Sequence, residues 1–550
     1  MRPPRNLLPH LIIIGLSTLL PLIAVVPAAA QPQKKPRVVI TADPELDDNN
    51  TLIRAILYSS DFQIEGLIYT SSTFHWKGDG KGTTQFLPGR EYTRLHLCPC
   101  TSWRWSADEH FIDDILDNYA KIYPNLKVHN PNYPPPAGLK SKIKWGNVTF
   151  EGDYSQDTDG SNLIKSLLLD NQPGPLYVTA QGGQSTIARA LKSIHDQYAH
   201  TPQWPAIRDK VSLKLIIIPS GDQDGTYARY IQPNWPEVTE RQLSTMDFGY
   251  FLRRELPPQN QVYVSAAWTR ENILNRGPLG AMYRVWGDGK QMVNGDRTDY
   301  FGLSGYTTDQ LKSMGYMVWM PPQDPGSFLG EGDTPTFMNL LSNGLRAYEN
   351  RRWSGWGGTS RSLRVPALGL GTAQFAPASR DDPGLALGLG AAGADLTVPA
   401  GVASTPADSD LPPLAPANAS ANARFFAAAQ NDFAARLKWS VTPKFNDANH
   451  EPKVGIKGPS EISAQPGSTV PLHGEVSDPD HNPVKVMWWQ DNAAGTYSGD
   501  VRFSDQTALS TTLLVPKDAQ RGDTVHIVLE ATDDGTPPFT RYRRLIVRIQ

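Results

Sequence analysis

The sequence predicts two folds in one chain: an α/β domain with a doubly wound, mainly parallel sheet, and a C-terminal all-β sandwich of immunoglobulin-like type. Three observations carry that expectation. Apolar β-branched runs alternate with helix-period segments over roughly 300 residues, the pattern of βαβ units. Composition then shifts abruptly across residues 366–422. Over the last hundred or so residues, short β-forming runs recur between turns rich in Asp, Gly and Pro, which is sandwich spacing. At 550 residues the chain is also too long for one ordinary core.

The N-terminus reads as a processing signal. Arg2 and Arg5 precede the apolar run 11–26, and Ala28-Ala29-Ala30 offers a cleavage site before Gln31. The run is short for a membrane span and is interrupted by Pro21, so residues 1–30 are expected to be a cleaved signal peptide. An exported protein, periplasmic or extracellular, with no stable membrane span is the expectation. A net charge of −3 and the lack of a Lys/Arg stripe argue against a nucleic-acid partner. The only cysteines, Cys98 and Cys100, flank Pro99. They are too close to favour an unstrained disulfide and too few for a zinc site.

The most informative stretch is residues 37–50. The β-branched run 38–41 leads at once into Asp43, Asp47 and Asp48, and then into the amphipathic pattern Leu52, Ile53, Ala55, Ile56, Leu57. This reads as a buried strand, an acidic loop and a helix. In open α/β sheets, ligands bind at the carboxyl ends of the strands. Three like charges crowded there call for something positive, and a hard cation is the simplest candidate. Asp47 and Asp48 also suit a helix N-terminus without any ligand.

A second strand, 62–69, completes a βαβ unit and places Ser71, Ser72 and Thr73 on the same edge. Hydroxyls there suit ligand binding and turn capping equally. A helix is expected over 107–119, followed by turn signals at Tyr123-Pro124 and Tyr133-Pro134. Asp153, Asp157 and Asp159 lie in a glycine-flanked loop that lacks the full spacing of a known calcium loop. Strand 175–179 runs into Gln181-Gly182-Gly183-Gln184 and a helix over 187–194, where paired glycines allow close backbone approach to a ligand. No Lys of a phosphate-binding loop is present. Strand 213–219 ends in the polar loop 220–225, and weaker strands are expected at 262–265 and 316–320. Asp333 or Thr334 suits the N-cap of a late helix, with Pro335 in its first turn and Phe337, Leu340, Leu341 and Leu345 on one face.

The α/β domain is thus expected over 36–365. The Ala/Gly/Pro-rich stretch 366–422 cannot bury enough surface to order itself and reads as a disordered insertion. A helix within 423–445, with Phe425, Phe426 and Phe433, is expected to pack back on the α/β domain. The sandwich occupies 450–550. Trp488 and Trp489 suit either sugar platforms or core, core being the commoner use of strand tryptophans.

The motif Asp43-Pro44-Glu45-Leu46-Asp47-Asp48 resembles the signature that follows the first strand in the nucleoside hydrolase superfamily. Segments 41–51, 330–335, 430–443 and 531–542 extend the likeness to an exported bacterial family described as cellulose-binding, with a nucleoside hydrolase-like domain and a C-terminal sandwich. The resemblance implies Ca2+ held by Asp43, Asp47, Asp48 and Asp333, with Gln181 as the match for a backbone carbonyl ligand. It also implies Asp43 as general base toward the attacking water. Ser72, Thr73, Asp224 and Tyr227 occupy the regions that would grip a small glycoside or a polysaccharide end. Three departures stand out: Glu45 replaces the usual glycine, Gly332 stands where a leaving-group histidine is common, and the asparagines that grip ribose hydroxyls are missing. The implied activity is hydrolysis of an N- or O-glycosyl bond, the alternative being carbohydrate (cellulose) binding on a retained hydrolase fold.

Overall fold

The structure, a computed structural model, describes residues 35–359, apart from 95, 244–247, 250–251 and 319, and residues 421–550. The expected signal peptide and most of the expected insertion lie outside those residues. Six parallel strands form one sheet: β1 (Arg37–Ala42), β2 (Gln63–Tyr69), β3 (Ile143–Trp145), β4 (Leu176–Ala180), β5 (Leu215–Pro219) and β6 (Thr239–Glu240). Their spatial order is β3-β2-β1-β4-β5-β6. The order reverses between β1 and β4, the topological switch point at which open α/β sheets bind ligands.

β1 is buried at all six positions, as a central strand covered on both faces must be. The helix Leu46–Leu57 follows it and buries Leu52, Ile53, Ile56 and Leu57 against that sheet's core. The register pairs Thr41 with Ala180, Ala42 with Tyr69, and Ala180 with Pro219. Asp43, Thr70, Gln181 and Ser220 therefore leave the sheet side by side along one edge.

Several expectations need correction. Residues 262–265 form no strand, because a 3-10 helix occupies Pro258–Val264 with Pro at its first turn. No strand occurs among the described residues of 316–320; Met320 is instead fixed by hydrogen bonds between its backbone and Tyr300. The helix expected at 107–119 is Phe111–His129 and runs through Pro124, since burial of Ile122 and Leu126 outweighs the one backbone bond that proline forfeits. The late helix is only Pro335–Met338. Turn and bend residues follow from Asn339, and farther on Gly344 has φ +95°, where a Cβ would lie 1.7 Å from the Tyr542 carbonyl oxygen. Cys98 and Cys100 are joined as a disulfide, their Cα atoms 4.5 Å apart and within bridging range.

The C-terminal region contains two four-stranded sheets. One is β10 (Val484–Gln490), β13 (Thr524–Asp533), β14 (Thr540–Ile549) and β8 (Glu461–Ala464). The other is β11 (Arg502–Phe503), β12 (Ser510–Leu514), β9 (Thr469–Ser477) and β7 (Lys453–Ile456). Between them lies a core of Leu472, Trp488, Leu513, Ile527, Leu529 and Val547. All pairings are antiparallel except β14 with β8, which run parallel.

The first of these sheets is not a free face. Trp489, Val528, Phe539 and Tyr542 belong to the same apolar cluster as the α/β core. Tyr542 N–H donates to Asn343 O at 2.9 Å, and Arg544 Nε to Leu345 O at 2.7 Å. The helix Ala421–Ser440 packs beside Leu46–Leu57 and Phe111–His129, wedging Phe425, Phe426 and Phe433 into that shared core. Trp488 is fully buried in the sandwich and Trp489 is covered by Arg424, whose guanidinium lies 3.7 Å from the ring centre. Neither is a sugar platform, because alternation on β10 sends one ring into each core.

Candidate metal and substrate site

Five acids converge at the switch point. Asp43 directly follows β1, Glu45 precedes the first helix, Asp47 and Asp48 occupy its first turn, and Asp333 arrives from the loop before Pro335–Met338. Gly332 N–H donates to Asp47 Oδ2 at 2.8 Å, which locks the late loop onto the first helix across 285 positions. Asp43, Asp47, Asp48 and Asp333 are all buried, whereas Glu45 keeps 21% of its side chain open at the mouth.

What distinguishes this cluster is unmet acceptor capacity. Both oxygens of Asp43, both of Asp48 and Oδ1 of Asp47 are buried without a donor among the described residues. Buried carboxylates in native proteins are ordinarily paired or hydrogen-bonded, and orphans call for an explanation. Burial, then the neighbouring carboxylates, push Asp48 well above the usual range, with Asp333 its strongest charged neighbour. Asp333 is likewise raised by burial and Asp47, while Ser220 and Asp48 oppose the rise. Burial pushes Asp47 up to about 6 despite the Gly332 N–H. Glu45 is raised well above its usual value by burial and then by Asp47, Asp43 and Asp333, with Arg104 pulling against them. The arrangement suits a cation: it supplies oxygen donors and converging negative charge, and no arginine or lysine pairs with Asp43, Asp47 or Asp48 among the described residues.

Gln181 lies at the end of β4, fully buried, and its backbone carbonyl accepts from Gln223 Nε2 at 3.0 Å. That carbonyl retains its second lone pair, and both polar atoms of the Gln181 side chain lack partners. Gly182 and Gly183 then pass close to the acids. A Cβ on Gly182 would lie 3.2 Å from Asp43 Oδ2, and one on Gly183 2.3 Å from Asp224 Oδ2. The paired glycines are thus needed for backbone approach, as their position after a strand suggests.

The remaining candidates divide. Ser72 and Thr73 are buried beside the site, but the Ser72 hydroxyl accepts from Phe74 N–H at 3.0 Å and shapes its own turn. Asp224 uses its two oxygens to accept from Ser185 N–H and Thr226 N–H, each at 3.0 Å, and so caps local backbone. Tyr227 donates its N–H to Asp222, whose carboxyl is pushed up to about 7 by burial and by Asp224. Of the possible second calcium loop, Asp157 pairs with Arg189 at 2.6 Å and Thr158 caps the helix Asp159–Leu169.

Two residues at the site were not expected from the sequence. His75 follows Ser72 and Thr73 in the loop after β2, and its Nδ1 lies 3.5 Å from Asp43 Oδ2 and 4.0 Å from Glu45 Oε2. Glu45 is a member of the cluster rather than a mere departure from the motif. The signal for His75 lay in its position, two residues past Thr73 on an edge already singled out. Farther back, Glu331 anchors the Asp333 loop: Arg54 Nη2 donates to its Oε1 at 2.8 Å, Thr334 Oγ1 to its Oε2 at 2.7 Å, and Tyr283 also bonds it. Arg54 in turn donates to Gln430 Oε1 at 2.6 Å, so the helix Ala421–Ser440 braces the site from behind.

Comparison with known proteins agrees with this architecture. Residues 37–359 match the family described as cellulose-binding Sde182, nucleoside hydrolase-like domain, and residues 469–549 match the C-terminal domain of cellulose-binding protein Sde0182. A solved structure of a nucleoside hydrolase-related protein from Saccharophagus degradans, described as associated with carbohydrate metabolism, aligns with a TM-score of 0.63 at 23% identity. That alignment covers 94% of this chain and 100% of the other. No curated protein matches the sequence. With the family match spanning more than half its length, the chain belongs to the Sde182 family of cellulose-binding proteins with a nucleoside hydrolase-like domain.

Proposed function

We propose that this protein is an exported, calcium-dependent hydrolase of an N- or O-glycosyl bond in a nucleoside-like or other small glycoside. The observation that supports this most is the set of buried carboxylate oxygens at the switch point with no donor. Asp43, Asp47, Asp48 and Asp333 would hold the ion, with the Gln181 carbonyl as a further oxygen. A calcium ion bound there would lower the pKa of water and help orient it toward the anomeric carbon. Asp43 is the residue to take the proton, since neither of its oxygens is engaged by the protein. Asp47 is held in place by the Gly332 N–H, and the Glu331–Arg54 pair keeps the Asp333 loop in register. The side-chain amide of Gln181 and the Oε1 of Gln223, which meet no partner among the described residues, are suited to sugar hydroxyls.

A screen of nucleosides and aryl glycosides, run on wild type and Asp43→Ala, tests this reading. Turnover that falls by about a thousandfold in the variant is the expected result for loss of a general base. No turnover by wild type on any substrate would overturn it. A second reading, a carbohydrate-binding protein that keeps the fold without turnover, is favoured by the family's description and by Gly332 in place of an acid-base group. Equal retention of wild type and Asp43→Ala on cellulose, without hydrolysis, would select that second reading.

A further inference from the structure

We infer that the mouth of the site holds a second cation position, formed by Asp43, Glu45 and His75, which takes a borderline transition-metal ion such as zinc. It adjoins the oxygen-only position of Asp47, Asp48 and Asp333 and shares Asp43 with the calcium reading above. The key residue is His75. Its side chain is 3% exposed, and Nδ1 has no hydrogen-bond partner although it faces two carboxylates. At 3.5 Å from Asp43 Oδ2, Nδ1 is too far for a normal N–H···O bond. That gap is close to the spacing of roughly 3.4 Å between donors on a tetrahedral ion with bonds of about 2.1 Å.

The ligand atoms of Asp43, Glu45 and His75 all lie within 4.8 Å of one another. Those of Glu45, Asp47 and Asp48 form a second such group, which makes Glu45 common to both. Donor chemistry separates the two positions. Calcium takes oxygen ligands, whereas an imidazole nitrogen suits zinc and its neighbours in the first transition row. Two carboxylates, one imidazole and the 21% opening at Glu45 leave room for a fourth ligand from solvent or substrate.

The competing arrangement is an imidazolium paired with Asp43 and Glu45 and no metal. Full-length protein stripped with EDTA and then saturated with calcium separates the two when titrated with Co2+ as a spectroscopic probe. Expected for wild type are one equivalent of calcium, one further equivalent of cobalt, and a paramagnetically shifted imidazole N–H resonance. In His75→Ala the cobalt affinity should fall by more than about a hundredfold, the upper end of what loss of an outer-shell group costs, and the shifted resonance should vanish. Calcium uptake should be unchanged. Glu45→Gln, at a part-exposed position, provides a second variant and should also lose the cobalt equivalent. Wild type binding calcium but no cobalt, or cobalt uptake unaltered in both variants, would overturn this inference and leave the calcium reading intact. Cobalt bound through His75 without any calcium would sustain it and reject calcium.

Discussion

At the junction between the α/β and sandwich regions, Asp432 accepts from Arg436 at 2.7 Å and from Arg541 at 2.6 Å. Arg436 goes on to Asp61 at 2.8 Å, and Arg544 pairs with Asp491 at 2.9 Å. At the strand ends, Asp43 and Asp48 are as deeply buried as Asp432, yet their oxygens meet no donor. One chain thus buries acids in two ways. Burial alone would raise Asp432, but Arg541 and Arg436 hold it below the usual carboxylate range, while Asp48 is driven well above it. Where acids serve architecture, this protein supplies arginines; where it omits them, the positive charge is expected from outside.

Substitutions can break that contrast. Asp432→Asn leaves Arg436 and Arg541 buried beside a neutral group and should destabilise the protein by about 3–5 kcal/mol, measured by urea unfolding. Asp47→Asn should act with the opposite sign in EDTA. It removes a charge that the fold disfavours while keeping an acceptor for Gly332, so the metal-free variant should gain about 1–3 kcal/mol. Destabilisation by both substitutions would show the strand-end acids to be structural.

The pH dependence sharpens the same comparison. Asp47 has a folded pKa of about 6, above the unfolded value. Its contribution to metal-free stability is therefore fully present below about pH 4 and lost as pH rises through about 6. Saturating calcium should reverse this, so that the stability gap between calcium-loaded and EDTA-treated protein widens from about pH 5 to 7. The junction titrates the other way. His526, held down to about 4 by burial and Arg544, contributes stability above the usual histidine range that is lost as pH falls through about 4. A smaller effect is expected at Trp489: because its ring is covered, Trp489→Phe should leave retention on cellulose within about twofold, and a large loss would reopen a sugar-platform role.

The part of this scheme that could be read in the sequence was local. Residues 37–57 show a strand, an acidic turn and a helix because period and turn chemistry are written within twenty positions, and the structure has all three. The sandwich strands from Thr469 onward were legible from alternation. Glu331, Arg54 and Gln430 were not, since a buried arginine on a helix looks like an interruption until its partners arrive from distant segments. His75 escaped notice for a related reason: a lone histidine in a loop gains meaning only when the register of β1 and β2 sets it against Asp43. Asp333 was found through resemblance, because an acid before a proline-started helix is ordinary by itself. The disulfide has no periodicity to read, and the helical segments described between Pro258 and Ser313 are too short to show one.

The donor-less acids at the switch point are proposed to hold a cation. Calorimetric titration of EDTA-stripped wild type and Asp47→Ala with calcium tests it most directly. A saturable site is expected in wild type, with an affinity weaker by at least about a hundredfold in the variant. Equal affinity in the two proteins, or no binding in wild type, would contradict it.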